Sequence, residues 1–170
     1  DISDWNVSSA TNMTNMFQDI LFLSDTNKGE IHKTFSSNSN WPYDWSEFVT
    51  YEPITDANFQ NAVNLWVSDV ANATYTYGHI RDWNVSLVTD MEEAFKDRPT
   101  FNEDISGWEV SNVTSMRGLF HNATSFNQNI GKWNTSKSTN FLNMFREASA
   151  FNQDISGWDV SNVRKVNGLF

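Results

Sequence analysis

The sequence predicts an α/β repeat solenoid, and three observations point to it. The first is a period of 25 residues: Phe101 to Ser125, Phe126 to Ala150 and Phe151 to Phe170 are near copies of one another. Thr76 to Thr100 keeps the register behind a diverged start, and Asp1 to Phe17 is a fifth unit standing apart. The second is that single columns of the period hold one side chain throughout. Trp5, Trp83, Trp108, Trp133 and Trp158 fill one; Phe17, Phe95, Phe120, Phe145 and Phe170 another; Ile2, Ile80, Ile105, Ile130 and Ile155 a third; Ser8, Ser86, Ser111, Ser136 and Ser161 a fourth. Stacked repeats bury the same column in every unit, whereas a compact domain has no reason to place identical side chains at a fixed interval. The third is a change of pattern inside each unit. Ile105, Trp108 and Val110 form a short strand-like stretch in which Gly107 permits a bend or close approach, while Val113, Met116, Leu119 and Phe120 are spaced as on about two helical turns. Ser111 or Thr114 would cap that helix. One short parallel strand and one short helix per 25-residue coil is the expectation.

Taken in order, residues 1–17 read as the terminal coil of a preceding block, 18–75 as a spacer, and 76–170 as a four-coil solenoid whose last coil is cut short. The chain starts and stops within a coil, so it reads as a window on a longer array. In the spacer, Lys28, Gly29, Ser36 to Asn40 and Trp41-Pro42 make a polar, turn-rich first part, and Trp41, Tyr43, Trp45, Phe48 and Tyr51 then crowd aromatics that must pack on something. Near 56–70 a helix is predicted, capped by Thr55 or Asp56, because Phe59, Ala62, Val63 and Trp66 share one face. Its place is over the open end of the array. Within the array, the 126–150 unit has Thr135 and Ser138 where valine is usual and Phe141 in the methionine column, changes expected to weaken that coil's core.

The strings DISGWDVSNV, VTSMRGLF and ATSFNQ resemble the 25-residue repeat of unknown function found in mycoplasma surface lipoproteins and in many marine microbial proteins, a relative of the BspA-type leucine-rich repeats. The resemblance covers residues 1–17 and 76–170, and NLWVSDVANATYTYGHIRDWNVS is similar to the entry segments of related repeat blocks. It implies a right-handed, leucine-rich-repeat-like solenoid on extracellular or cell-surface proteins, often concerned with adhesion, and it implies no reaction.

Composition excludes several classes. A net charge of -10 argues against nucleic acid or an anionic membrane surface as partner, since either needs a cationic face. No apolar run approaches the roughly 20 residues of a transmembrane segment. With no cysteine, disulfides, thiolate metal sites and cysteine nucleophiles are out, and stability must come from burial and end capping. His32, His79 and His121 are scattered, and Glu92-Glu93 and Glu103-Asp104 look like solvated edges. No catalytic, cofactor-binding or metal-binding residues, and hence no cofactor and no enzyme, are expected. Seven Asn-x-Ser/Thr sequons stand at Asn6, Asn12, Asn72, Asn84, Asn112, Asn122 and Asn134; either coils need turn residues, or the surface bears glycans, with Asn72 and Asn122 the favoured acceptors. The tryptophan column could be a sugar platform, but flanking Ile and Val favour burial. The repeated Ser and Asn columns would permit a face that orders water or binds ice or polysaccharide, but flat Thr-x-Thr rows are lacking.

The function expected is a non-enzymatic extracellular structural or adhesive repeat protein, self-associating head to tail through solenoid ends into a glycan-coated fibre. The alternative is a module that recognises glycan or protein on its strand face.

Overall fold

Among the described residues α-helix forms in three places, all of them before Gly78. The computed structural model describes residue 2 and residues 4–170, and the chain divides into two compact units, 1–51 and 52–170. The α-helices are α1 (Asp25–Phe35), α2 (Phe59–Ser68) and α3 (Val70–Tyr77); Ser46–Phe48 and Ile80–Asp82 are single 3-10 turns. Among the described residues there is no strand, only isolated parallel bridges that pair Thr55 with Leu87 and link Asp90, Ser115, Asn140 and Lys165 in series. The α/β solenoid with one strand and one helix per coil, and with it the leucine-rich-repeat architecture, is therefore wrong for this chain.

The coils are built of consecutive turns instead. Trp108 N–H bonds to Ile105 O (3.1 Å), Val113 to Val110 (2.9 Å), Leu119 to Met116 (3.2 Å), His121 to Gly118 (3.0 Å) and Ala123 to Phe120 (3.0 Å), each closing a turn over three residues. Two columns hold the left-handed backbone that breaks any helix: Glu93, Gly118, Asn143 and Gly168 in one (φ 57 to 63°), Asp97, Asn122 and Glu147 in the other (φ 57 to 63°). Apolar spacings of three suit both a helix and a row of turns, which is why Val113, Met116 and Leu119 mimic a helix. Gly107 serves no close approach; the tight position is Gly131, where a Cβ would lie 2.2 Å from Asp154 O in the next coil.

Alternate backbone N–H groups leave the coil and join it to the next. Met91, Glu93, Phe95 and Asp97 donate to the carbonyls of Ser115, Arg117, Leu119 and His121 (2.8–3.0 Å); Met116, Gly118, Phe120 and Asn122 donate to Asn140, Leu142, Met144 and Arg146 (2.8–2.9 Å); Phe141, Asn143 and Phe145 donate to Lys165, Asn167 and Leu169. Between them, turn-closing bonds take up the N–H groups of Ala94, Lys96, Leu119, His121, Met144 and Arg146, and those of Glu92 and Leu142 bond to the side chains of Asp90 and Asn140, so most of this backbone is paired without a sheet or a helix. On a second edge the polarity reverses: Thr114 N–H donates to Thr89 O, Thr139 to Thr114 and Arg164 to Thr139, and the Thr114 and Thr139 hydroxyls follow the same path.

Side chains stack at the same interval. Phe95, Phe120, Phe145 and Phe170 lie with ring centroids 5.6 to 5.7 Å apart, and Phe101, Phe126 and Phe151 form a parallel pile at 5.9 Å that touches the first at 3.8 to 4.0 Å. Trp83, Trp108, Trp133 and Trp158 are buried, and each indole N–H donates backward, the last three to Ile80, Ile105 and Ile130 O (2.8 to 3.2 Å) and the first to Gly78 O. Thr135 and Ser138 do not leave the 126–150 coil with unpaired polar atoms: their hydroxyls donate to Asp159 O (3.0 Å) and Val113 O (2.8 Å), each exchanging a methyl for a bond between coils.

In the unit of residues 1–51, residue 2 and residues 4–20 repeat the turn pattern. Trp5 bonds to Ile2, Ala10 to Val7, Met16 to Met13, Gln18 to Asn15 and Ile20 to Phe17, and Asn15 and Asp19 take the left-handed φ of the two columns above. Helix α1 lies where the sequence reads as polar and turn-rich. Ser24 caps it by accepting from Asn27 N–H (3.2 Å), and Ile31 and Phe35 form the core with Met13. Phe17 sits among Trp41, Tyr43 and Trp45 at 5.3 to 6.0 Å, the packing that gathers the aromatic run.

Candidate functional site

Two features stand out: the cover over the first coil of 76–170 and the apolar groove beside Val160. In the unit of residues 52–170, α2 covers the first coil with the buried face Phe59, Ala62, Val63 and Trp66; Phe59 meets Trp108 at 5.9 Å and Trp66 meets Trp83 at 6.1 Å. Helix α2 ends at Ser68, and Asp69 starts α3 by accepting from Asn72 N–H (3.1 Å). Asp56 does not cap α2. Its carboxylate accepts from Thr89 N–H (2.7 Å), Thr89 Oγ1 (2.7 Å) and Asp90 N–H (3.2 Å), the bonds that the carbonyl of a preceding coil would supply. Partial burial raises the Asp56 pKa, but the bonds from Thr89 and Asp90 outweigh it and hold the carboxyl below its ordinary value. Gln60 Nε2 completes this cap by reaching Ala94 O at 3.5 Å.

Asp56→Ala should cost about 1–2 kcal/mol, the range for losing a capping side chain, with Asp56→Asn keeping part of it. Denaturant titration gives the magnitude, and amide exchange accelerating at Thr89 and Asp90 gives the location; unchanged exchange there would contradict the assignment.

At the other end, the coil 151–170 has no such cover among the described residues. Val160, Val166 and Phe170 are exposed, the last at 70%, around a groove of about 270 Å³ whose walls include Phe141, Ile155, Trp158 and Leu169. A second cavity of about 300 Å³ lies beside the α2–α3 junction, walled by Trp66, Val67, Val70, Arg98 and Phe101; Arg98 donates from Nη2 to Asn64 Oδ1 (2.8 Å) and its buried Nε has no hydrogen-bond partner.

Exposed carboxylates punctuate the coils. Asp104, Asp154 and Asp159 lie below the usual carboxylate range because the side chains and N–H groups of Ser106, Ser156 and Ser161 bond to them. A carboxyl whose pKa falls on folding stabilises the fold above its unfolded pKa and loses that contribution as pH drops through the folded value. Stability should therefore be level above about pH 5 and fall below about pH 4, the range in which carboxylates protonate. A denaturation midpoint that rises on acidification would contradict this.

The sequons divide by what their amides do. Asn6, Asn12, Asn84 and Asn134 are exposed and turn Oδ1 onto the N–H two residues on (2.9 to 3.1 Å), while Nδ2, the atom a glycan would occupy, bonds to no described residue. Asn72 lies exposed on α3, with Oδ1 3.4 Å from Thr76 Oγ1. Asn112 and Asn122 spend Nδ2 on Ser86 O and Asp97 Oδ1 (both 2.9 Å). Burial removes Trp83, Trp108, Trp133 and Trp158 as a sugar platform, and without strands there is no strand face for a ligand. His32 Nδ1 accepts from Trp41 Nε1 (3.0 Å), and His79 Nδ1 from Arg81 N–H (3.3 Å). Among the described residues no three His, Asp or Glu side chains are grouped to hold a metal, and no helix is long and apolar enough to cross a membrane.

Sequence reasoning missed the role of Asp56, whose partners lie 33 residues away, and the two left-handed columns. A signal for one was present: Asn15, Gly118, Asn143 and Gly168 share a column, and Asn and Gly are the residues that enter positive φ at least cost.

In class, then, residues 76–170 are stacked, turn-built coils, the first of them covered by a helix. The chain belongs to the family described as Mycoplasma protein of unknown function, DUF285, which it matches over residues 1–39 and 64–170. No curated protein and no solved structure matches it significantly.

Proposed function

We propose that this protein is a non-enzymatic structural or adhesive component of a cell surface, working by self-association through the ends of its coil stack. The observation behind this reading is that successive coils are joined by one repeated set of bonds, the N–H groups of Met91, Met116 and Phe141 donating to Ser115, Asn140 and Lys165 O, so the two faces of a coil are complementary. A head-to-tail contact between unlike faces does not close on itself unless a rotation makes a ring, so it yields filaments. The acidic surface keeps such a polymer soluble, and a glycan coat would attach at Asn6, Asn12, Asn84 or Asn134, where Nδ2 bonds to no described residue.

Sedimentation across a wide concentration range tests the reading. The mass should climb with concentration, and Val166→Asp should hold the protein monomeric. A wild-type chain that stays a monodisperse monomer at high concentration contradicts the proposal. Mass spectrometry of native material tests the coat, which is excluded if all seven sequons are bare.

A further inference from the structure

We infer that the cavity beside the α2–α3 junction binds a small zwitterion with an apolar side chain, that is, an apolar α-amino acid, its carboxylate on Arg98 and its ammonium on Glu103 and Asp97. The cavity lies wholly within the unit of residues 52–170, and its use does not depend on self-association.

The repeat shows what is unusual here. One column of the period is small and buried: it holds Ala123 and Ala148, whose carbonyls accept the N–H groups of Phe126 and Phe151 (3.0 and 2.9 Å). Arg98 stands in that column one coil earlier, and its carbonyl accepts Phe101 N–H in the same way (3.0 Å). The backbone therefore keeps its register while a methyl is replaced by a guanidinium. A second column holds Gln128 and Gln153, whose Nε2 atoms donate to Asn102 and Asn127 O (2.8 and 3.0 Å). Glu103 stands there one coil earlier, and an ionised carboxylate has no proton to donate. Both exceptions line the same cavity.

These charges are not used by the fold. Arg98 Nη2 donates to Asn64 Oδ1 (2.8 Å), but Nε is buried without a hydrogen-bond partner, and Nη1 bonds to no described residue. Among the described residues Arg98 has no ion-pair partner, although Asp97 and Glu103 line the cavity with it. Asp97 accepts from Asn122 Nδ2 on one oxygen (2.9 Å), and no described residue bonds to the Glu103 carboxylate. A buried donor left unmade is destabilising, and a carboxylate is the acceptor that takes two guanidinium N–H groups at once. Two carboxylates against one guanidinium leave the lining net negative, so a bare anion is disfavoured and a ligand that also carries an ammonium fits. The rest of the wall is apolar, with Trp66 buried and Val67 and Val70 about half exposed, a surface for an apolar side chain to cover. A volume of about 300 Å³ is at the small end of ligand pockets, which suits one amino acid and not a folded partner.

NMR titration of dilute, isotope-labelled protein with L-leucine tests the site, beside isocaproate, which lacks the ammonium, and isoamylamine, which lacks the carboxylate. Leucine should shift the Trp66 indole and the Val67 and Val70 methyl signals to saturation at millimolar concentration. Both analogues should bind about tenfold more weakly or worse, the loss of one charge-assisted bond. Arg98→Ala restores the residue of its column, so it should fold and yet lose leucine by about tenfold or more. Glu103→Gln restores the second column and should weaken leucine but not isocaproate; it carries the test alone should Arg98→Ala fold poorly. No saturable shift at Trp66, Val67 or Val70 with leucine overturns the site, as does equal affinity for leucine and both analogues. Shifts of those signals by glucose and not by leucine overturn the assignment of a zwitterion.

Discussion

Phe120→Ala should destabilise the unit of residues 52–170 by about 3–5 kcal/mol, the cost of deleting a fully buried aromatic from a core that cannot collapse around the void. Phe120 is wholly buried and stacks on Phe95 and Phe145 along its column and on Phe126 beside it, with Trp133 tilted against it at 6.3 Å. Beyond the area it removes from water, each such ring pair contributes about 0.5–1.5 kcal/mol. The neighbours cannot close the gap, because the spacing of the coils is fixed by backbone bonds on both sides, Phe95 N–H to Leu119 O and Phe120 N–H to Met144 O (both 2.9 Å). Phe170→Ala in the same column is the internal control. Phe170 stacks on one ring among the described residues, Phe145, and is largely exposed, so its loss should cost under about 1 kcal/mol. Denaturant unfolding followed by tryptophan fluorescence separates the two; equal effects would show that the rings do not form a stack with an interior and an end.

The second large effect is expected at Gly131. A methyl there would sit 2.2 Å from the main-chain oxygen of Asp154 and cannot be accommodated by rotating a side chain, so the 126–150 and 151–170 coils must part locally. Gly131→Ala should cost about 1–3 kcal/mol, as overpacking does. Hydrogen exchange should quicken at Phe141, Asn143 and Phe145, whose N–H groups tie those coils together, while Met91, Glu93 and Phe95 stay protected. Gly157→Ala is the matched control, since its methyl would meet Gly131 O at an ordinary 3.6 Å.

Burial of Trp108 or Phe120 is legible in the sequence because identical large side chains at a fixed interval have nowhere else to go in a stacked array. The conformation between them is not. Val113, Met116 and Leu119 are spaced by three, which turns and helices share, and the deciding feature is the positive φ at Gly118 and Asn122. Ile105, Trp108 and Val110 look like a strand, yet the N–H of Trp108 closes a turn onto Ile105. Helix α1 escapes notice because its pattern is weak: Gly29 is buried under Phe48 O, where no Cβ would fit, and the helix offers its core only Ile31 and Phe35 besides. Asp56 is hidden for a different reason. A carboxylate three residues before Phe59 has the look of a helix cap, and only the fold brings it to Thr89.

The central claim is that these coils are turn-built and tied forward by alternate backbone N–H groups. Scalar coupling across hydrogen bonds, measured by NMR on isotope-labelled protein, tests it at Phe120. The coupling should connect Phe120 nitrogen to the carbonyl carbon of Met144, 24 residues ahead. A coupling from Phe120 nitrogen to the carbonyl carbon of Met116, four residues back, would restore the helix and contradict the fold described above.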